Sequence, residues 1–151
     1  MKAVAVSCVG KLKEKFFADA AAEYAKRLQK FCRLTVDEVP DVASADEVRR
    51  ESDALQKTFR AGEYRIVCDV GGELVSSEEL SRIMQAAFAS GKSQVRFVVG
   101  GSAGVDDRVR AAADKRVSFG RVTYPHQLMR VILLEQVYRA FTIAEHMPYH
   151  K

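Results

Sequence analysis

Short valine-rich runs alternate with amphipathic stretches along the whole chain, and that alternation leaves few folds open. Residues 1–9 (MKAVAVSCV) are apolar up to Gly10 and read as a buried first strand. Residues 13–30 place Phe17, Ala21, Tyr24 and Leu28 on one helical stripe, with charges opposite. Residues 34–39 form a second strand, ended by Pro40. Residues 45–60 make a charged helix whose thin stripe (Val48, Leu55 and Phe59, with Ser52 between) predicts loose packing at an edge. Residues 64–70 are a third strand, broken by Gly71-Gly72. Ser76 and Glu79 spell a capping box for a helix reaching about Ala89, and Gly91 stops it. A fourth strand at residues 95–99, a helix over 105–115, a short strand near Val117 and a last helix from about His126 follow. Parallel strands need long, usually helical, crossovers. The order therefore predicts a single α/β domain over residues 1–151, with a parallel sheet covered by helices on both faces. At 48% hydrophobic content, 151 residues can fill that core.

Charge and cysteines narrow the function classes only modestly. Lys and Arg number 24 against 20 acidic residues, so a net charge of +4 permits an anionic partner without demanding one. Cys8, Cys32 and Cys68 form no C-x-x-C pair, which argues against a disulfide framework and against a zinc site; no metal is expected. No basic-then-apolar leader opens the chain and no apolar run is long enough to span a bilayer. A reducing cytoplasm, with no membrane partner, is the expectation.

The last helix carries its own prediction. Leu128, Met129, Val131, Ile132, Leu133, Leu134, Val137, Tyr138, Phe141 and Ile143 fall in every sector of a helical wheel. One face can cover the sheet; a second apolar face needs a second partner, and the same helix of another protomer is the simplest. A homodimer through the C-terminal helix is expected.

Two loops are the candidate ligand site. The strand at residues 95–99 empties into Gly100-Gly101-Ser102-Ala103-Gly104, where glycines would let a ligand touch bare backbone. The pattern G-G-x-x-G is neither the dinucleotide fingerprint nor a Walker A loop, and it comes late in the chain. A glycine turn here could equally be a tight connection. The second loop, Phe119 to Tyr124, is interrupted by Gly120 and ends at Pro125, which holds Tyr124 extended. Two such loops at one edge of a parallel sheet sit where ligands bind. Their main-chain groups could read the edge of an adenine ring, with Cys68, Phe119 and Val122 as apolar walls.

FVVGGSAG, SFGRVTYPHQLMRVILLEQVYRAF and the terminal PYHK resemble the RlmH family of SPOUT-class methyltransferases, as do VSCVGKLKEKFFADAAAEYAKRL and EVPD. The resemblance spans nearly the whole chain. It implies methylation of N3 of a pseudouridine in 23S ribosomal RNA, on assembled ribosomes, by a homodimer using S-adenosyl-L-methionine. It also implies a C-terminal trefoil knot, a rare exception to unknotted topology that periodicity does not reveal. Carried over by position, cofactor contacts fall at Cys68, Gly100, Phe119, Gly120, Arg121, Val122, Thr123 and Tyr124. Cys68 stands where leucine is common and trims one wall slightly.

Methyl transfer from a sulfonium needs no metal, and alignment supplies most of the help. The N3 imide proton must still leave, so a base or an anion-stabilising donor is wanted. Tyr149 and His150 are the expected catalytic pair, by likeness to the family's tail. Arg130, one turn into the last helix, suits substrate phosphate or, more simply, an acidic neighbour. His126 reads as the first residue of that helix. Three rivals remain: the same chemistry at another nucleotide, a non-catalytic RNA or cofactor binder, and a nucleotide or flavin module. The missing dinucleotide fingerprint counts against the last.

Overall fold

The computed structural model describes Met1–Lys151. Five strands form one all-parallel sheet: β1 (Lys2–Val9), β2 (Cys32–Val39), β3 (Tyr64–Leu74), β4 (Val95–Val99) and β5 (Lys115–Ser118), in the order β2-β1-β4-β3-β5. The valine-rich runs become the central strands because both faces of β1 and β4 are covered. Val4, Val6, Cys8, Val95, Phe97 and Val99 face the larger core. On that side lie α1 (Lys15–Leu28), α3 (Ser77–Ala89) and α5 (His126–Ala144). Val9, Val67 and Val98 face a smaller core under α2 (Glu47–Gln56) and α4 (Asp107–Ala111).

The third strand does not stop at the paired glycines. β3 runs on to Leu74, with a register shift between Cys68 and Glu73, so that residues 69–72 form a bulge before Glu73 and Leu74 rejoin β5. A Cβ on Gly72 would lie 2.8 Å from the Arg116 carbonyl carbon, so the bulge needs glycine there.

α2 is anchored by more than its thin apolar stripe. Leu55 is fully buried, Ser52 Oγ accepts from the Asp106 N–H at 3.0 Å, and Glu51 accepts from the Val42 N–H at 2.9 Å. The serine that interrupts the stripe is therefore a tether. α4 is only five residues long, shorter than its sequence pattern suggests. Asp106 caps its start, and Asp114 ends it by accepting from the Arg65 N–H while its own N–H donates to the Arg65 carbonyl, which draws the chain onto β3.

α5 satisfies most of its apolar wheel inside its own protomer. Leu133, Leu134, Val137, Tyr138, Ala140 and Phe141 are buried between the sheet, α1 and α3, and Phe31 and Phe88 stack against Phe141. Each of the larger apolar side chains among them contributes about 1.5–3 kcal/mol of burial. The need for a second protomer shrinks to the half-buried residues near the start of the helix: Leu128, Met129, Val131 and Ile132.

Candidate active site

The carboxyl ends of β3, β4 and β5 open into a cleft of about 240 Å³. Its floor comes from Cys68 and Val99 at the strand ends, and one wall from Gly100, Gly101, Gly104 and Val105. The opposite wall is Ser118, Phe119, Gly120, Val122, Thr123 and Tyr124, and His126 and Met129 close the side under α5.

The first loop is a tight turn closed by the Gly104 N–H donating to the Gly101 carbonyl at 3.0 Å. Its glycines have internal reasons to be glycine. A Cβ on Gly100 would lie 2.8 Å from the Gly104 carbonyl, and one on Gly101 would lie 2.5 Å from Glu51 Oε1. The close approach these glycines permit is that of the loop to itself and of α2 to the loop, which does not require a ligand. Gly120 in the second loop is different: its φ is +125°, and a Cβ there would meet nothing within 4 Å. Ser118 Oγ fixes that bend, donating to the Gly120 carbonyl at 2.8 Å and accepting from its N–H at 3.2 Å. Pro125 then starts α5, its carbonyl accepting from the Met129 N–H.

The cleft is electrically quiet except at its rim. Burial pushes the Cys68 thiol up to about 12, with Asp69 adding to the shift, so the thiol is a neutral wall. Asp69 feels an opposing burial effect, yet its hydrogen bonds from Arg116, the Gly71 N–H and Arg110 hold its carboxyl below the ordinary range. No group of three or more His, Cys, Asp or Glu side chains is placed to hold a metal ion.

Of the expected cofactor residues, Cys68, Gly100, Phe119, Gly120, Val122, Thr123 and Tyr124 all line this cleft. Arg121 does not; its side chain is exposed beside it. Arg130 is also elsewhere. It is 3% exposed, donating to Glu38 at 2.6 Å and to the Val9 and Gly10 carbonyls at 3.3 and 2.7 Å. Its guanidinium is committed to pinning α5 against the ends of β1 and β2, so the structure gives it a structural role in place of phosphate binding.

Tyr149 and His150 lie on the α3–α5 side, not in the cleft. Tyr149 donates to Glu135 at 2.9 Å, packs edge-on against Tyr138 and lies under the Arg139 guanidinium. His150 contacts Arg139 through Nδ1 and Glu78 through Nε2. Burial and then the Glu135 hydrogen bond push the Tyr149 hydroxyl up to about 12. Nearby, a second hollow lined by Val75, Ser76, Ser77, Ile132 and Gln136 shares Phe119 and Tyr124 with the main cleft.

The family model described as "Predicted SPOUT methyltransferase" matches residues 1–150. The chain belongs to the SPOUT methyltransferase family. Among its relatives, the ribosomal RNA large subunit methyltransferase H of Lactobacillus acidophilus is 43% identical, over 98% of this chain and 99% of that one. The protein of the same name from Clostridium acetobutylicum is 44% identical over 95% and 96%. Solved SPOUT-like folds agree at much lower identity. A probable methylase family protein from Haemophilus influenzae superposes with a TM-score of 0.56 at 10% identity, covering 99% of this chain and 71% of that one. The SpoU methyltransferase AviRb of Streptomyces viridochromogenes, solved in complex with the cofactor AdoMet, gives 0.50 at 12%, covering 91% and 57%. These likenesses carry the fold of the SPOUT chain. No helix in it is long and apolar enough to cross a membrane.

Proposed function

We propose that the protein is an S-adenosyl-L-methionine-dependent methyltransferase of ribosomal RNA that methylates N3 of a pseudouridine in 23S rRNA, on the assembled ribosome in the cytoplasm. The supporting observation is a small cleft walled by two strand-end loops, its one carboxylate (Asp69) paired with arginines, in a chain more than 40% identical over nearly its full length to proteins named ribosomal RNA large subunit methyltransferase H. The open bend at Gly120 fits a ligand held by main-chain groups, and Cys68, Phe119 and Val122 supply apolar surface for an adenine.

When bound, S-adenosyl-L-methionine supplies a methyl on a sulfonium, transferable in line to nitrogen. The chain's own residues hold it and position the acceptor. Asp69 is a poor base, because two arginines stabilise its ionised form. Tyr149, protonated at neutral pH, can donate to an anionic base edge once its hydroxyl leaves Glu135, and His150 stands beside it to handle the proton. In one protomer both stand apart from the cleft, so this reading pairs them with the site across a homodimer. Half-buried Leu128, Val131 and Ile132 and exposed Val122 are apolar surface for such an interface. The chain also leaves β5 at the sheet edge and returns in α5 between α1 and α3, a path compatible with a C-terminal trefoil knot. Exposed Lys11 and Lys13, just beyond the carboxyl end of β1, offer cations for phosphates.

The decisive experiment incubates undermethylated ribosomes with protein and labelled S-adenosyl-L-methionine, followed by mass spectrometry of the rRNA. One new methyl on a 23S pseudouridine is expected. No incorporation, or a methyl on another nucleotide, refutes the reading.

A further inference from the structure

We infer that the second hollow takes the target nucleobase, and that Ser77 and Gln136 tell pseudouridine from uridine there; this rests on the reading of the chain as a pseudouridine methyltransferase. The hollow measures about 310 Å³, room for a flat ring. Phe119 and Tyr124 line both it and the cleft, so the two chambers adjoin, as a methyl donor and its acceptor must. Those two rings, with Val75 and Ile132, are surface on which an unstacked base can lie.

Where α3 meets α5, the hollow offers a donor and an acceptor side by side. Ser76 Oγ is spent on the capping box, accepting from the Glu79 N–H. Ser77 Oγ donates to Gln136 Oε1 at 2.7 Å, and Gln136 Nε2 donates to Glu135 at 3.0 Å. Arg139 holds Glu135 in turn at 2.8 Å, which fixes the amide's orientation. A hydroxyl that gives away its one proton keeps its lone pairs, and an amide nitrogen has a second N–H. Both residues line the hollow and are only half-buried, so a ligand can reach them. Pseudouridine matches that pair. Its N1–H and C2 carbonyl are neighbours on the ring, a donor beside an acceptor, and N3 follows the carbonyl. Uridine turned to the same N3 position presents C5–H in place of N1–H, so Ser77 Oγ has nothing to accept. A Gln136 N–H on the carbonyl oxygen also favours the charge that gathers there when N3 loses its proton.

The test uses undermethylated ribosomes carrying either pseudouridine or uridine at the target position, and reads kcat/KM on each. Wild-type protein should prefer the pseudouridine ribosome. Ser77→Ala should shrink that preference roughly three- to tenfold, the worth of one hydrogen bond, and Ser77→Thr should keep it. Gln136→Leu should lower kcat/KM on both ribosomes. The preference is a ratio, so a partly unfolded variant does not alter it. S-adenosylhomocysteine affinity, by calorimetry, should match wild type in Ser77→Ala. An unchanged preference in Ser77→Ala overturns the inference, as does equal methylation of both ribosomes by wild-type protein. Weakened S-adenosylhomocysteine binding in that variant would assign the hollow to the cofactor and overturn it too. Wild-type protein that methylates neither ribosome overturns the pseudouridine reading itself, a result distinct from these.

Discussion

Replacing Arg130 by Met separates a pin from a phosphate ligand. The guanidinium is 3% exposed and makes three charge-assisted hydrogen bonds, to Glu38 and to the Val9 and Gly10 carbonyls. Each such bond is worth about 1.5–3 kcal/mol. Three considerations reduce the sum. Glu38 is 35% exposed and regains water, Arg130 Nε has no partner to lose, and the substitution removes a buried charge that was costly to desolvate. A net loss of about 2–4 kcal/mol remains. For a chain of this size that corresponds to a fall in Tm of roughly 5–15 °C. Thermal unfolding by circular dichroism should be run at fixed protomer concentration, since any dimer makes Tm concentration-dependent. Arg130→Lys should rescue little, because a point charge cannot serve three acceptors in a fork. An unchanged Tm, accompanied by a large loss of ribosome affinity and a shallower salt dependence, would refute the pin and restore phosphate binding.

Gly120→Val should weaken S-adenosylhomocysteine binding at least tenfold, as read by calorimetry. A β-branched residue at φ +125° costs about 1–3 kcal/mol of strain and reshapes the wall. Acid stability follows from Asp69. Its folded-state pKa is depressed, so its contribution is fully present above the unfolded value near 4 and is lost as pH falls through the lower folded value. Asp69→Asn should therefore flatten the dependence of Tm on pH below about pH 4, and an unchanged slope would count against the Arg110–Asp69–Arg116 cluster. Burial pushes the thiols of Cys8 and Cys32 to about 11 and that of Cys68 to about 12, so native protein should resist iodoacetamide at pH 8 while urea-unfolded protein takes up label at all three. Mass spectrometry reads both states. His150→Ala should lower turnover and leave S-adenosylhomocysteine affinity unchanged; unaltered turnover removes it from the reaction.

The α/β class, the capping box at Ser76 and most of the cleft residues were legible from local pattern and motif. The box forms as spelled, with Ser76 and Glu79 each bonded to the other's backbone. The roles of individual residues were less legible. Gly100 and Gly101 look like a ligand cradle in sequence, but their glycine is needed for contacts with Gly104 and Glu51, partners that the local pattern does not name. His126 starts α5 as its place in the sequence suggests, but nothing local marks a ring nitrogen that folding will cover and leave unpaired.

Periodicity by itself determined which segments would be strands or helices, and hence a layered parallel sheet, because burial on one or both faces imposes a repeat on a short stretch of chain. Tertiary structure decided what becomes of the charges. Arg96 sits inside an apolar run, yet it is buried at the sheet's centre against Glu63, Ser7 and Asp37, partners 33, 89 and 59 residues away. It also decided that α5 finds most of its apolar partners in α1 and α3, and that Arg130 faces Glu38 from 92 residues on. A side chain's worth depends on what surrounds it once the chain has closed, and residues distant in sequence share no local pattern that announces their meeting.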